Sequence, residues 1–195
     1  NVPVMSNSGV LFLIKRHTIA QDNNYFVYSI NPHTKKHQRK SLTLMGKRIA
    51  DLKYQLDTEN NLYLTGFFSA QNYHVFQGFF YYKLDQNSRA LDFKQNNFDA
   101  GFLIQAEGKK NAKKHGGMLN YKMGVMQLFQ GKTYFTASHT LREKYTIDQE
   151  QHMSYTTNKL AVIGLDKGGL IEMSETFEVN QKSADDQGFW NKHHF

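Results

Sequence analysis

Cysteine is absent from this chain of 195 residues, and proline occurs only twice, at Pro3 and Pro32. Without cysteine, a disulfide framework, a thiolate metal site and a cysteine nucleophile are all excluded. Without proline-rich or glycine-rich tracts there is no sign of a flexible linker, so we expect the whole chain to fold. No apolar run approaches the roughly 18 to 20 residues that cross a bilayer, and no transmembrane segment is predicted.

Aromatic residues are plentiful by contrast, with 15 phenylalanines and 11 tyrosines. Such side chains suit the pleated, half-buried surfaces of β-sheets, so the composition favours strands. The length fits one domain covering residues 1–195. The net charge of +7 makes attraction to anionic polymers reasonable but does not choose among them.

A hairpin pattern recurs along the chain. Asn31, Asp85 and Asp166 each follow an apolar strand and precede a short polar turn and a second strand. Their short side chains can accept hydrogen bonds from the backbone two residues further on, which favours a turn. A second type of hairpin contains "LDTENNLYLTG" at 56–66, where Leu62 and Tyr63 begin a strand whose alternate side chains point to opposite faces.

These hairpins predict an all-β fold of β-propeller-like repeats, built from four-stranded antiparallel blades. The blade-like units are expected at 10–45, 49–99 and 120–180, the first of them incomplete, with a tail at 181–195 that leads into a further unit. This is fewer than the roughly four to eight blades that close a propeller, so we expect an incomplete propeller that either belongs to a longer chain or self-associates. A β-sandwich is the alternative.

Two polar segments interrupt the repeat. The segment 105–120 lacks apolar periodicity and carries several lysines, which predicts an exposed, mobile loop. The segment 142–156 keeps alternation around Tyr145 and Tyr155, which predicts a long hairpin reaching away from the body. Both are natural places for a binding site.

Candidate ligand-binding residues come from the basic segments and from this hairpin; they are Lys35, Lys36, Arg39, Lys109, Lys110, Lys113, Tyr145 and Tyr155. A nucleic-acid site would require Lys35, Lys36, Arg39, Lys47, Lys109 and Lys113 to share one face. Stacking surfaces for sugars or bases could come from Tyr73, Phe76, Tyr81 and Tyr82. Ordinary surface charge over an aromatic core is favoured over nucleic-acid binding, since the charges lie on different hairpins.

Catalytic and metal signatures are missing from the sequence. There is no G-x-S-x-G, P-loop, G-x-G-x-x-G or H-E-x-x-H motif. His33 and His37 lie among lysines that would repel a cation, and the oxygens of Asp57, Glu59 and Asn61 are those of a plain turn. We therefore predict no metal, no cofactor and no catalytic residue.

Three stretches resemble uncharacterised exported proteins of Bacteroidetes-type bacteria with β-propeller-like repeats. They are "LDTENNLYLTGFFS" followed by "GFFYYKLD" at 78–85, "NKLAVIGLDKGGLIEMSETFEV" at 158–179, and "NQKSADDQGFW" at 180–190. The resemblance covers about half of the chain. It implies a propeller-like fold and export to the periplasm or cell surface, and it supplies no catalytic residues.

Together these observations predict a non-catalytic binding or scaffolding domain of an exported cell-envelope protein, with a protein or polysaccharide as its partner. A glycan-acting hydrolase is one alternative, and it requires two carboxylates at a workable separation in a cleft. The other is a protein that binds polyanions or nucleic acid through its basic loops.

Overall fold

Hydrogen-bonded strands form most of the molecule. The computed structural model describes residues 3–19, 22–70 and 74–185, and in them three four-stranded antiparallel sheets follow one another along the chain. The strands of each sheet lie side by side in chain order, so that most are joined to the next by a short turn. The all-β prediction with four-stranded antiparallel sheets is confirmed.

The first sheet consists of β1 (Val4–Met5), β2 (Leu11–Ile19), β3 (Asp22–Asn31) and β4 (Lys36–Leu42). One face carries buried side chains such as Phe12 and Val27, whereas Phe26 and Tyr28 on the other face are partly exposed. This alternation is expected of a sheet covered on one side. The sheet also includes β1, which lies before the predicted unit 10–45. The sequence does not predict β1, because a strand of two residues carries no periodic signal.

The second sheet consists of β5 (Arg48–Leu56), β6 (Leu62–Ser69), β8 (Gly78–Leu84) and β9 (Ala90–Asn97). Every residue of β6 is buried, which requires cover on both faces of the sheet. Leu62 and Leu64 pack toward the first sheet and Tyr63 packs the other way, so the predicted alternation of this strand is confirmed. Between β6 and β8, β7 (Val75–Phe76) pairs instead with β10 (Met118–Leu119).

Two short helices occupy the segment that follows the second sheet, α1 (Ala100–Glu107) and α2 (Lys109–His115). Asp99 begins α1 by accepting a hydrogen bond from Phe102 N at 2.8 Å, as an N-cap residue does. The prediction of a loop at 105–120 is therefore wrong, whereas the predicted exposure of this segment is confirmed for α2, which buries no residue. The sequence of α2 contains only polar and small residues, so it lacks the apolar periodicity that predicts a helix. The apolar side chains that dock α1 begin upstream at Phe102.

The third sheet consists of β11 (Tyr121–Phe129), β12 (Lys132–Ile147), β13 (Glu150–Leu165) and β14 (Ile171–Ala184). Strands β12 and β13 pair from Thr133 and Leu165 out to Ile147 and Glu150. Pairing of β11 with β12 stops at His139, whereas β14 stays paired with β13 out to Ser154 and Ala184. The outer half of the hairpin therefore extends beyond β11 but remains covered along one edge by β14. The predicted long hairpin at 142–156 is confirmed. The part of the predicted tail 181–195 beyond Asp185 lies outside the described residues.

The core is divided into two clusters by the second sheet. One cluster lies between the first and second sheets and includes Phe12, Val27 and Phe80. The other lies between the second sheet, the third sheet and α1, and it includes Phe67 and Phe135. The three sheets are thus stacked, with the second in the middle.

Aspartate or asparagine side chains fix the turns of the hairpins, as predicted. Asn31 Oδ1 accepts from His33 N at 3.0 Å, and Asp166 Oδ1 accepts from Gly168 N at 2.9 Å. Asp85 Oδ1 makes the same contact with Asn87 N at 2.8 Å. Because the acceptor is always two residues before the donor, the motif is local, and the sequence pattern alone identifies it.

A partly buried carboxylate links the second and third sheets. Asp51, at a β-bulge in β5, accepts from Leu52 N at 2.9 Å and from Met123 N in β11 at 3.1 Å. Burial raises the pKa of Asp51 above its ordinary value, although both hydrogen bonds and the charges of Lys53 and Lys122 act in the opposite direction. This contact joins the first strands of the two sheets.

Candidate binding groove

A groove of about 440 Å³ opens between the first and second sheets, at the end of the sheets where the aspartate turns lie. Amide and hydroxyl side chains dominate its lining, together with one apolar residue, one lysine and one carboxylate. The lining residues are Val10, Ser29, Asn31, Thr34, Lys36, Gln38, Asn61, Asp85, Gln86 and Asn87. Such a surface offers both donors and acceptors to a polar ligand.

Hydrogen bonds between turns hold the walls of this groove together. Asn7 N donates to Asn60 Oδ1 at 2.6 Å, and Ser8 Oγ donates to Gln86 Oε1 at 2.8 Å. The turn between β1 and β2 is thereby attached to two turns of the second sheet. The groove is a fixed feature of the interface between the two sheets.

The carboxylate of Asp85 is already engaged within its own turn. Its Oδ1 accepts from Asn87 N and Arg89 N, both at 2.8 Å, and its Oδ2 lies 3.7 Å from Arg89 Nε. Among the described residues it is the one carboxylate that lines the groove. A glycoside hydrolase needs a pair of carboxyl groups flanking the substrate, and the described residues that line this groove supply only one.

A shallower depression of about 500 Å³ continues the groove along β4. It shares Gln38 and Asn87 with the groove and is lined further by residues 39–41 and 88–90. Lys40 pairs with Val27 of β3 and so lies on the face of the sheet that turns toward the second sheet. With Lys36 and Arg89, it makes the combined surface positive.

Of the candidate residues predicted from the sequence, Lys36 lines the groove and Arg39 lines the depression. The guanidinium carbon of Arg39 lies 3.9 Å from the centre of the Phe26 ring, so this side chain rests on the outer face of the first sheet. Lys35 is in the adjoining turn, exposed, with a φ of 54°. These three residues are close together in the structure.

The remaining candidates lie elsewhere. Lys109, Lys110 and Lys113 are on α2, which belongs with α1 to the opposite side of the second sheet. Tyr145 stacks on His152 in the long hairpin, at 5.3 Å between ring centres, and the guanidinium carbon of Arg142 lies 5.9 Å from the Tyr155 ring. The basic residues therefore do not share one face, which removes the arrangement that a nucleic-acid site would require.

Among the residues that the structure describes, no aromatic ring lines the groove. Phe76, Tyr81 and Tyr82 are all buried in the core, so the expectation that they could stack on sugars or bases is wrong. Burial raises the pKa of Tyr81, as expected for a phenol enclosed between sheets. The fourth residue of that set, Tyr73, lies outside the described residues.

The residues that could hold a metal are used for local structure. Asn61 Nδ2 donates to Asp57 Oδ2 at 3.0 Å and to Glu59 Oε2 at 3.2 Å, as in a turn rather than a calcium loop. Across residues 3–19, 22–70 and 74–185 no three histidine, aspartate or glutamate side chains form a cluster suited to a metal ion.

Sequence reasoning missed Gln38, Lys40, Asn87 and Arg89, which line the groove or its extension. The available signal was the position of Asn87 and Arg89 in the turn that Asp85 begins. Nothing local indicated that this turn would face β4.

Within the described ranges, no helix has both the length and the apolar character needed to span a membrane.

Comparisons with protein-family models and with curated proteins give no match to this chain.

Proposed function

We propose that this protein is a non-catalytic binding domain of an exported cell-envelope protein, and that it binds a polar segment of a protein or polysaccharide in the groove between its first and second sheets. The observation that carries the proposal is the lining of that groove. It is rich in amides and hydroxyls, and its one carboxylate among the described residues is occupied by a turn. Such a surface recognises a ligand but lacks an acid and base for catalysis.

We also propose that the three sheets are arranged as in a β-propeller. It is supported by three successive four-stranded meanders, each packed face to face on the next. The contact between β5 and β11, the first strands of neighbouring sheets, also favours it. In a β-sandwich two sheets would face each other, whereas here a middle sheet is covered on both sides.

Export is the part of the proposal that rests on the resemblance to exported propeller-like proteins described above. Two of the three motifs that carry the resemblance lie in the second and third sheets, and the third, at 180–190, runs beyond the described residues.

Binding of polyanions is the second candidate, and a specific observation favours it. Lys36, Lys40 and Arg89 lie along the groove and its extension, so a negatively charged polymer would meet several cations in one place. This candidate differs from the alternative expected from the sequence, because the lysines of α2 take no part in it.

A binding screen with a groove variant tests the proposal. Immobilised acidic and neutral polysaccharides and peptides would be offered to the wild-type chain and to the double variant Gln38→Ala/Asn87→Ala. The control is Gln127→Ala/Gln151→Ala, which removes two exposed amides from the third sheet. We expect the groove variant to lose at least about tenfold in affinity and the control to keep it. Equal binding by both variants would overturn the proposal.

A further inference from the structure

Strand β4 is an edge strand of the first sheet. It pairs with β3 along Lys36–Leu42 and forms the end of the strand order in that sheet. The backbone N–H and C=O groups on the other side of an edge strand can pair with an added chain. Four consecutive residues, 38–41, line the shallow depression. This is expected when a depression runs along the open edge of a strand, since one face alone would contribute alternate residues.

The opposite wall of the depression is formed by residues 87–90, where the turn that begins at Asp85 leads into β9. Hydrogen bonds from Asn87 N and Arg89 N to the Asp85 carboxylate fix this wall. An extended segment lying beside β4 would therefore have a preformed channel. Residues 38–41 at about 3.4 Å per residue span about 14 Å, enough for four residues of a partner strand.

The charge of this edge selects the partner. β4 carries Lys36, Arg39 and Lys40, and Arg89 faces it across the depression. A second copy of the chain would bring the same positive strand to the edge, and like charges placed opposite each other on paired strands are unfavourable. An acidic segment would instead meet cations on both sides.

The lining favours a peptide over a sugar. Among the described residues, neither the groove nor the depression is lined by an aromatic ring on which a sugar or base could stack. The strand edge, in contrast, offers main-chain hydrogen bonds that only another main chain matches in spacing.

We propose that β4 accepts an extended acidic peptide segment of a partner protein, which adds to the first sheet as a fifth strand and is held by Lys36, Lys40 and Arg89. This inference rests on the proposed function, since it names the ligand class for the same groove.

Fluorescence anisotropy with a labelled decapeptide of alternating glutamate and valine tests this inference. Alternation places all the glutamates on one face of the added strand. This can be the same face of the sheet on which Lys36 and Lys40 of β4 lie. A second peptide keeps the same side chains but is N-methylated at alternate residues, which removes the donors along one edge. Polygalacturonate serves as an acidic polysaccharide probe. The charge-reversal variant of β4 is Lys36→Glu/Lys40→Glu. The matched control is Lys109→Glu/Lys113→Glu on α2, with the same change in charge.

We expect the unmodified peptide to bind the wild-type chain. N-methylation of the peptide and the charge-reversal variant of β4 should each weaken binding by at least about tenfold, whereas the control variant should change it less than about twofold. Circular dichroism and urea unfolding check that both variants fold. Equal binding of the N-methylated peptide overturns strand addition, and equal loss in the control variant shows that only net charge matters, which also overturns it. Polygalacturonate binding that depends on Lys36 and Lys40, without peptide binding, overturns the peptide inference but keeps the proposed function. If neither probe binds, the peptide inference fails, and the screen with neutral ligands decides the proposed function.

Discussion

The Phe67 ring joins the second sheet to the third, and its removal offers a direct test of how the sheets are stacked. The residue is fully buried, and its ring centre lies 4.8 Å from that of Phe76, 5.9 Å from Phe98 and 5.8 Å from Phe135 of β12. Phenylalanine-to-alanine changes in protein cores cost about 3 to 5 kcal/mol. Because the surrounding rings belong to three different segments, the cavity cannot close without moving a sheet, and we expect about 4 kcal/mol for Phe67→Ala.

Urea unfolding followed by circular dichroism measures this cost. With a slope of about 3 kcal/mol per molar urea, a loss of about 4 kcal/mol lowers the midpoint by about 1.3 M. Phe177→Ala is the control, since this ring is 51% exposed on the third sheet, and we expect it to cost less than about 1 kcal/mol. A double-mutant cycle between Phe67 and Phe135 should give a coupling of about 0.5 to 1.5 kcal/mol. A cost for Phe67→Ala no larger than that of the control would refute the packing described here.

Three further predictions concern the turns and the close contacts between strands. Asp166→Ala removes the acceptor of two backbone hydrogen bonds and should lower the free energy of unfolding in urea by about 1 to 3 kcal/mol; no measurable change would contradict the role of this turn. Burial raises the folded-state pKa of Asp51 above 3.8, so its contribution to stability is present at low pH and is lost as the pH rises through the raised value. Asp51→Asn does not titrate, so the unfolding free energy of the variant minus that of the wild type should rise as the pH is raised above 3.8, whereas a fall would mean that the hydrogen bonds and lysines outweigh burial. Gly66→Ala would place a methyl carbon 2.0 Å from the Asp51 carbonyl oxygen and should cost more than about 2 kcal/mol in thermal unfolding, while Gly168→Ala, whose nearest atom is at 3.5 Å, should be nearly neutral.

Local features of this fold could be predicted from the sequence because their causes are local. The turns at Asn31, Asp85 and Asp166 depend on a short acceptor side chain and a donor two residues later, and all three form as expected. The long hairpin of the third sheet follows from alternation that continues through Tyr145 and Tyr155.

The helices could not be predicted from the same patterns. α1 is only eight residues long and buries Phe102, Leu103 and Ala106 against the second core cluster. α2 buries no residue, so its seven polar and small residues carry no periodic apolar signal. It follows α1 directly after Gly108, and without a periodic signal the sequence predicts a loop there.

The groove was also beyond prediction, for a different reason. Gln38 and Asn87 belong to different sheets and meet only because the two sheets pack face to face. Charge identifies the basic segment at 33–40 as a candidate, but it gives equal weight to the lysines of α2. Only the register of β4 shows that Lys40 turns toward the second sheet.

The two-sided burial of the second sheet has a consequence for how the chain is made. Its first face can pack on the first sheet as soon as it is synthesised, because that partner precedes it in the sequence. Its other face is fully covered only when Phe135 and Leu165 of the third sheet have been made. Leu165 follows the end of the second sheet at Asn97 by about 70 residues, or about 3 to 14 s at typical synthesis rates. During that interval only Phe76, Phe98 and α1 can cover the aromatic face that contains Phe67 and Phe79. We expect the nascent chain to be most prone to aggregation, and most dependent on chaperones, at this stage.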